Sequence, residues 1–267
     1  MREVQSTWRD REITIDGIDD GAEWENARYF FEKEDVTIGL LNDEINLYVR
    51  LSSRDRNMQR QLIALGFTLW FDAAGGKKKT LGIHFPIGMQ GSGMQMMRSG
   101  RSPVRNEDSD QLQKMLEESQ KEIEIIGPGK NESSTMLLSD VNELGINVKM
   151  DVSKGNLVYE LQIPLARSEL QPCGIGNEIA QAIGIGLETG KIDMRQMRNQ
   201  MGGRGGGMGG RGGMGGRGGM GRRGGGGREG TGGMGGKGGG MGSGSQQMPE
   251  SLELWLKTVL ASELITH

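Results

Sequence analysis

The chain has 267 residues, 48 of them Gly, and a formal net charge of −3. No apolar run approaches the roughly 18 residues that a membrane helix requires. The lone Cys173 excludes a disulfide framework and a Cys-rich zinc site, and two His, His84 and His267, argue against a His-based metal hydrolase. Composition is uneven: 28 Gly fall between Arg195 and Gln246, whereas all 12 aromatic residues lie outside that segment. The segment carries a net +8 and the rest of the chain −11, so an acidic body holds a basic, low-complexity insertion. Met1 to Thr7 is polar and has no apolar stretch of a secretory leader. Two locations are therefore expected: the cytoplasm, or an exported (periplasmic or extracellular) protein with its signal removed.

The elements read in chain order as short alternating runs. Ile13 and Ile15 flank Thr14 and lead into a turn-rich stretch, Asp16 to Gly21. Val36 to Leu41 and Ile45 to Leu51 form a hairpin across Asn42-Asp43-Glu44, with Leu47, Val49 and Leu51 on one face. Leu65 to Phe71 pairs with Thr80 to Ile87 across Ala73-Ala74-Gly75-Gly76. A helix is expected over Asp110 to Ile126, capped by Asp108 or Ser109, with Leu112, Met115, Leu116, Ser119 and Ile123 on one face. It lies within an insertion spanning residues 88–134. Ile146 to Val152 and Leu157 to Ile163 enclose Ser153-Lys154-Gly155-Asn156, a third hairpin. Ile179 to Leu187 and Leu252 to Leu260 supply two further strands. The fold expected is all-β: one antiparallel β-sandwich over residues 1–267, immunoglobulin- or jelly-roll-like, with one inserted helix. Residues 195–246 form a disordered Gly/Arg/Met-rich loop and residues 252–260 the final strand. A long flexible loop between two strands costs little more than a short one, since closure entropy grows only logarithmically.

Four segments resemble family 9 carbohydrate-binding modules and their DOMON-like relatives. The first runs I-T-I-D-G-I-D-D-G-A-E-W from Ile13 to Trp24; the second is Asn42-Asp43-Glu44-Ile45-Asn46-Leu47-Tyr48-Val49. The third, Leu69-Trp70-Phe71-Asp72, is a strand ending in Asp, and the fourth, Tyr159 to Leu165, holds an E..IP element. The resemblance covers about residues 10–87, 146–187 and 252–260, in the family's order. It implies a β-sandwich that binds a saccharide, sometimes with structural calcium. Because function lives in grafted sites, the fold alone does not assign one.

A pyranose presents apolar C–H faces, so an exposed indole is the side chain to seek. Trp70 adjoins Phe71 in one strand, so one of the two faces the core and the other faces out. Trp255 alternates against Leu254 and Leu256 and falls on the outer face. Trp24 is either core or a lid. Asp16, Asp19 and Asp20 offer hard oxygen ligands for calcium; alternatively they accept backbone N–H bonds within a turn. Arg204, Arg211, Arg217 and Arg223, each followed by Gly-Gly, form an RGG-like series of the kind that contacts nucleic acid. No aromatic is interleaved, and the acidic body opposes that partner. DOMON-like relatives also hold haem, and His84 with a Met is a candidate pair of iron ligands; no spacing selects it, and the alternative is that His84 packs in or flanks its strand. No nucleophile elbow, phosphate loop or zinc signature occurs. The reading is a non-catalytic saccharide-binding module, with an interaction protein working through its RGG-like loop as the alternative.

Overall fold

The computed structural model describes residues 1–19, 22–88, 113–114, 116–127, 132–169, 171–176, 182–190 and 251–263. The chain divides into two units, Met1–Ile192 with Pro249–His267, and Asp193–Met248. The first holds every described element. The second, with the expected 195–246 loop, lies outside the described residues.

Alternation of apolar residues builds two sheets. One contains β1 (Arg2–Gln5), β6 (Phe67–Asp72), β7 (Leu81–His84), β8 (Glu122–Ile126), β9 (Ser133–Leu137), β12 (Ala182–Thr189) and β13 (Glu253–Val259). Its order is β1-β13-β12-β6-β7-β8-β9, and we call it sheet A. Sheet B has the order β10-β11-β5-β4-β2, with β3 also paired to β4. Its members are β2 (Thr7–Trp8), β3 (Arg28–Phe31), β4 (Val36–Asn42), β5 (Asn46–Ser53), β10 (Asn147–Ser153) and β11 (Asn156–Pro164). Inward residues of both sheets form one core: Leu69, Phe71, Ile83 and Ile185 from sheet A face Ile38, Val49, Leu51 and Leu161 from sheet B. Tyr159 packs edge-on to Phe67, ring centroids 5.0 Å apart. The all-β sandwich is as the alternation implies, and the three expected hairpins and the final strand are present.

Several elements depart from the sequence reading, among them strands β1, β2, β3 and β9, which it did not include. Residues 113, 114 and 116–119 are helical, but the expected helix does not continue to Ile126, because Glu122–Ile126 is strand β8. There Ile123 and Ile125 point into the core while Glu122 and Glu124 point out, a period of two that burial on a sheet rewards. Ile13 to Ile15 is extended but unpaired, part of a strap whose Ile13 packs with Trp24, Ala27, Leu41 and Tyr48. Helix α1 (Arg56–Leu65) interrupts the β pattern; the Asp55 carboxylate caps it by accepting from the Met58 N–H at 2.7 Å. Gly66 ends it at φ +82°. A one-and-a-half-turn helix, α2 (Leu138–Glu143), leads into β10. The pairing is antiparallel except for β1 with β13 and β2 with β4, which are parallel.

Those two parallel pairs arise at one corner. Ser6 separates β1 in sheet A from β2 in sheet B, so the chain crosses between sheets in a single residue. Its Oγ donates to the fully buried Asn42 side chain, whose Oδ1 also accepts from the Ala261 N–H at 3.0 Å. The Asn42 amide donates in turn to the Ala261 carbonyl at 2.9 Å. Both chain ends are thus fixed to β4 by one side chain. Asn42→Ala removes the buried amide that the Ser6 hydroxyl and the Ala261 N–H share, while those two keep their bond to each other. It also takes away the donor to the Ala261 carbonyl. It is expected to lower stability by about 1–3 kcal/mol, read as a reduced denaturant midpoint with unchanged slope; an unaltered midpoint would refute this role.

Candidate functional site

The outer face of sheet A is built around two tryptophans. Register places Trp255 of β13 opposite Gly186 of β12, Gly186 opposite Trp70 of β6, and Trp70 opposite Gly82 of β7. Directly paired residues share a face, so these four form one row across the strands. A Cβ at Gly186 would lie 2.7 Å from Trp255 Cζ2, and one at Gly82 would lie 2.6 Å from Trp70 Cζ3. Each indole therefore lies flat over the glycine of the next strand, and any side chain there would lift it off. Both indoles lean the same way along the row, so their separation stays near two strand spacings, about 10 Å. Both tryptophans are partly exposed.

Polar groups border the row. The Trp70 Nε1–H donates to Glu188 at 2.9 Å, which fixes the ring's rotation. The Lys79 ammonium pairs with the same carboxylate and lies over the Trp70 ring, 5.0 Å from its centroid, so a ligand that stacks there displaces it from that face. In the neighbouring row His84 Nδ1 meets Glu124 at 2.9 Å. That hydrogen bond holds the Glu124 carboxyl below its usual range against burial, which pushes it up, and Ser133 adds a further bond. On the other side of the indoles lie Asp72 and Lys257, with Lys257 3.7 Å from Glu3. The result is a flat aromatic platform edged by donors and acceptors, mostly acidic.

The opposite outer face, on sheet B, is covered in part by the strap. Trp24 is fully buried and lies over Gly39, where a Cβ would stand 2.6 Å from its Cε3. Trp24 is thus no stacking candidate: its ring serves the small cluster beneath the strap. Arg50, 2% exposed, is held between Asp19 at 2.5 Å and Glu160 at 3.6 Å. Glu160 Oε2 accepts from the N–H groups of Gly17 at 2.9 Å and Asp16 at 3.2 Å, which anchors the strap to β11. The acidic turn is engaged from within the protein. Asp16 accepts from the Ile18 N–H at 2.8 Å, and Asp19 accepts from Asn156 at 2.8 Å as well as from Arg50. Asp20 lies outside the described residues, as do Arg204, Arg211, Arg217 and Arg223. Among the described residues no three His, Cys, Asp or Glu side chains gather as a metal site.

The sequence motifs acquire causes here. Asp43 accepts from the N–H groups of Ile45 and Asn46 at 2.8 and 2.7 Å and from the Tyr48 hydroxyl at 3.0 Å, which shapes the β4–β5 turn. Asp72 accepts from Ala74 and Lys78 at 3.1 and 2.8 Å and closes the β6–β7 turn. Alternation signalled Trp70 and Trp255 as outward candidates. Glu188 and the paired glycines carried no such signal, because only register aligns them with the indoles.

No family profile matches the sequence, and no curated protein does. In structure, the chain is similar to a family 9 carbohydrate-binding module from Caldicellulosiruptor kristjanssonii solved in complex with glucose. The likeness covers 73% of this chain and 81% of that one, at 11% identity and a TM-score of 0.35. The cellotriose complex of a module of that family from the same organism matches over 72% and 78%, at 11% identity and a TM-score of 0.33.

Two outcomes are expected of these arrangements. Gly186→Val puts a branched side chain where the Trp255 indole lies, so the near-UV circular dichroism of the tryptophans should weaken. Stability should fall by about 1–3 kcal/mol; an unchanged spectrum would refute the flat packing. Burial pushes the Glu160 carboxyl up to about 7 against its bonds to Gly17 and Asp16 and the Arg50 charge. The folded state then binds a proton more tightly than the unfolded chain does. Stability should be greatest below the ordinary Glu value and decline as pH rises through 7. Melting curves between pH 4 and 8 should show this slope, and Glu160→Gln should flatten it.

Proposed function

We propose that this chain is a non-catalytic saccharide-binding module whose platform is the outer face of sheet A. The observation that carries the reading is the row Trp255–Gly186–Trp70–Gly82, in which two partly exposed indoles lie flat, side by side and facing out. Pyranose C–H faces stack on such rings, and burying an aromatic face is worth more than its polar edge costs when that edge is already bonded. Trp70 meets this condition through Glu188. The bordering carboxylates and Lys79 supply hydrogen bonds to ring hydroxyls. A separation of two strands suits alternate sugars of an extended, β-1,4-linked chain. The acidic border favours a neutral one, since it repels anionic sugars.

Cellohexaose added to the full chain should therefore give a saturable change in tryptophan fluorescence. Trp70→Ala and Trp255→Ala should each weaken binding about tenfold or more, in keeping with an aromatic anchor worth over 1.4 kcal/mol. A folded protein that gives no response to cellohexaose or to other neutral β-linked glycans would reject the reading.

A further inference from the structure

A second pocket, of about 280 Å³, opens on the outer face of sheet B beside the strap. Three guanidinium groups line it: Arg28 of β3, Arg50 of β5 and Arg54 just beyond β5. Two carboxylates, Asp19 and Asp35, also line it; Arg50 is taken up by Asp19 and Glu160, and Arg54 is exposed at the pocket. Arg50 is already committed to the protein: it holds the Asp19 carboxylate, and its buried Nε, which makes no hydrogen bond, faces Glu160 at 3.6 Å. Thr37 and Ser52, paired across β4 and β5, add hydroxyls to the floor. Phe30, directly opposite Thr37 on β3, stands 61% exposed at the rim. Phe30 thus offers an exposed ring face beside an arginine and hydroxyls.

We propose that this pocket binds a hexuronate, the carboxylate-bearing ring of an acidic saccharide. Its carboxylate lies toward the exposed Arg54, its hydroxyls meet Thr37 and Ser52, and its C–H face rests on Phe30. The volume fits a single ring rather than a chain, and guanidinium is the cation whose fork geometry matches a carboxylate. The platform on sheet A cannot serve this ligand, because its border is acidic. The two faces therefore select different sugars, and this inference does not depend on the sheet A reading.

Calorimetric titration of the full chain with digalacturonate tests it, with digalacturonate methyl ester and inorganic sulfate as comparison ligands. Digalacturonate should bind, with an affinity that falls as NaCl is raised, and the uncharged ester should not. Arg54→Ala and Phe30→Ala remove exposed side chains and leave the core intact, so folding should survive and near-UV circular dichroism will verify it. Each should weaken digalacturonate about tenfold, the scale of one charge-assisted bond or one stacked ring. Trp70→Ala and Trp255→Ala should leave it unchanged. The proposal is overturned by absence of binding, by equal binding of the ester, or by binding that only the tryptophan variants abolish. Sulfate binding as tight as digalacturonate, with Phe30→Ala silent, would also overturn it and leave a small-anion site.

Discussion

A buried guanidinium held between two carboxylates decides which side of this sandwich is closed. Arg50 lies within sheet B at 2% exposure, with Glu160 across the β5–β11 pair and Asp19 reaching in from the strap. Bringing these charges out of water is costly, and the cost is offset only when each finds partners. The strap provides them: its Asp16 and Gly17 N–H groups donate to Glu160, and its Asp19 accepts from Arg50. With those bonds in place, Trp24 covers Gly39 and part of the sheet B surface is sealed. The tryptophans left partly exposed beside one another are those of sheet A.

The two faces consequently differ in kind. Sheet A presents a flat row in which glycines act as recesses for indoles, and its polar border has settled partners such as Glu188 with Lys79 and His84 with Glu124. Sheet B presents a concave pocket between the strap and β3, lined by three arginines and two aspartates. The same two-layer architecture thus carries two surfaces of different shape without any change in its core.

The hairpins were legible because burial on one face of a sheet imposes a period of two, and their turns carry residues with a local task. Asp43 and Asp72 fold back onto N–H groups within six residues of themselves, so their effect could be anticipated from neighbours alone. The Asp55 cap and Gly66 stop of α1 are equally local signals. The strand pattern on either side obscured them. Leu116, Ser119 and Ile123 are spaced as on a helix, although Ile123 and Ile125 belong to strand β8. Spacing over so few residues fits both periods, and only pairing with β7 chooses between them.

By itself the amino-acid sequence determined the all-β class, the main hairpins, the final strand after the Gly-rich segment, and the outward candidacy of Trp70 and Trp255. All of these follow from alternation and turn chemistry, which act between near neighbours. Tertiary structure decided what depends on register between distant segments. It aligned Trp255, Gly186, Trp70 and Gly82 in one row, buried Trp24 beneath the strap, and assigned the motif acids Asp16, Asp19 and Glu160 to internal bonds. A strand's pattern states which side chains share a face. Which strand comes next to it is set by the free energy of the whole core, and so the site emerges only when the sheets are assembled.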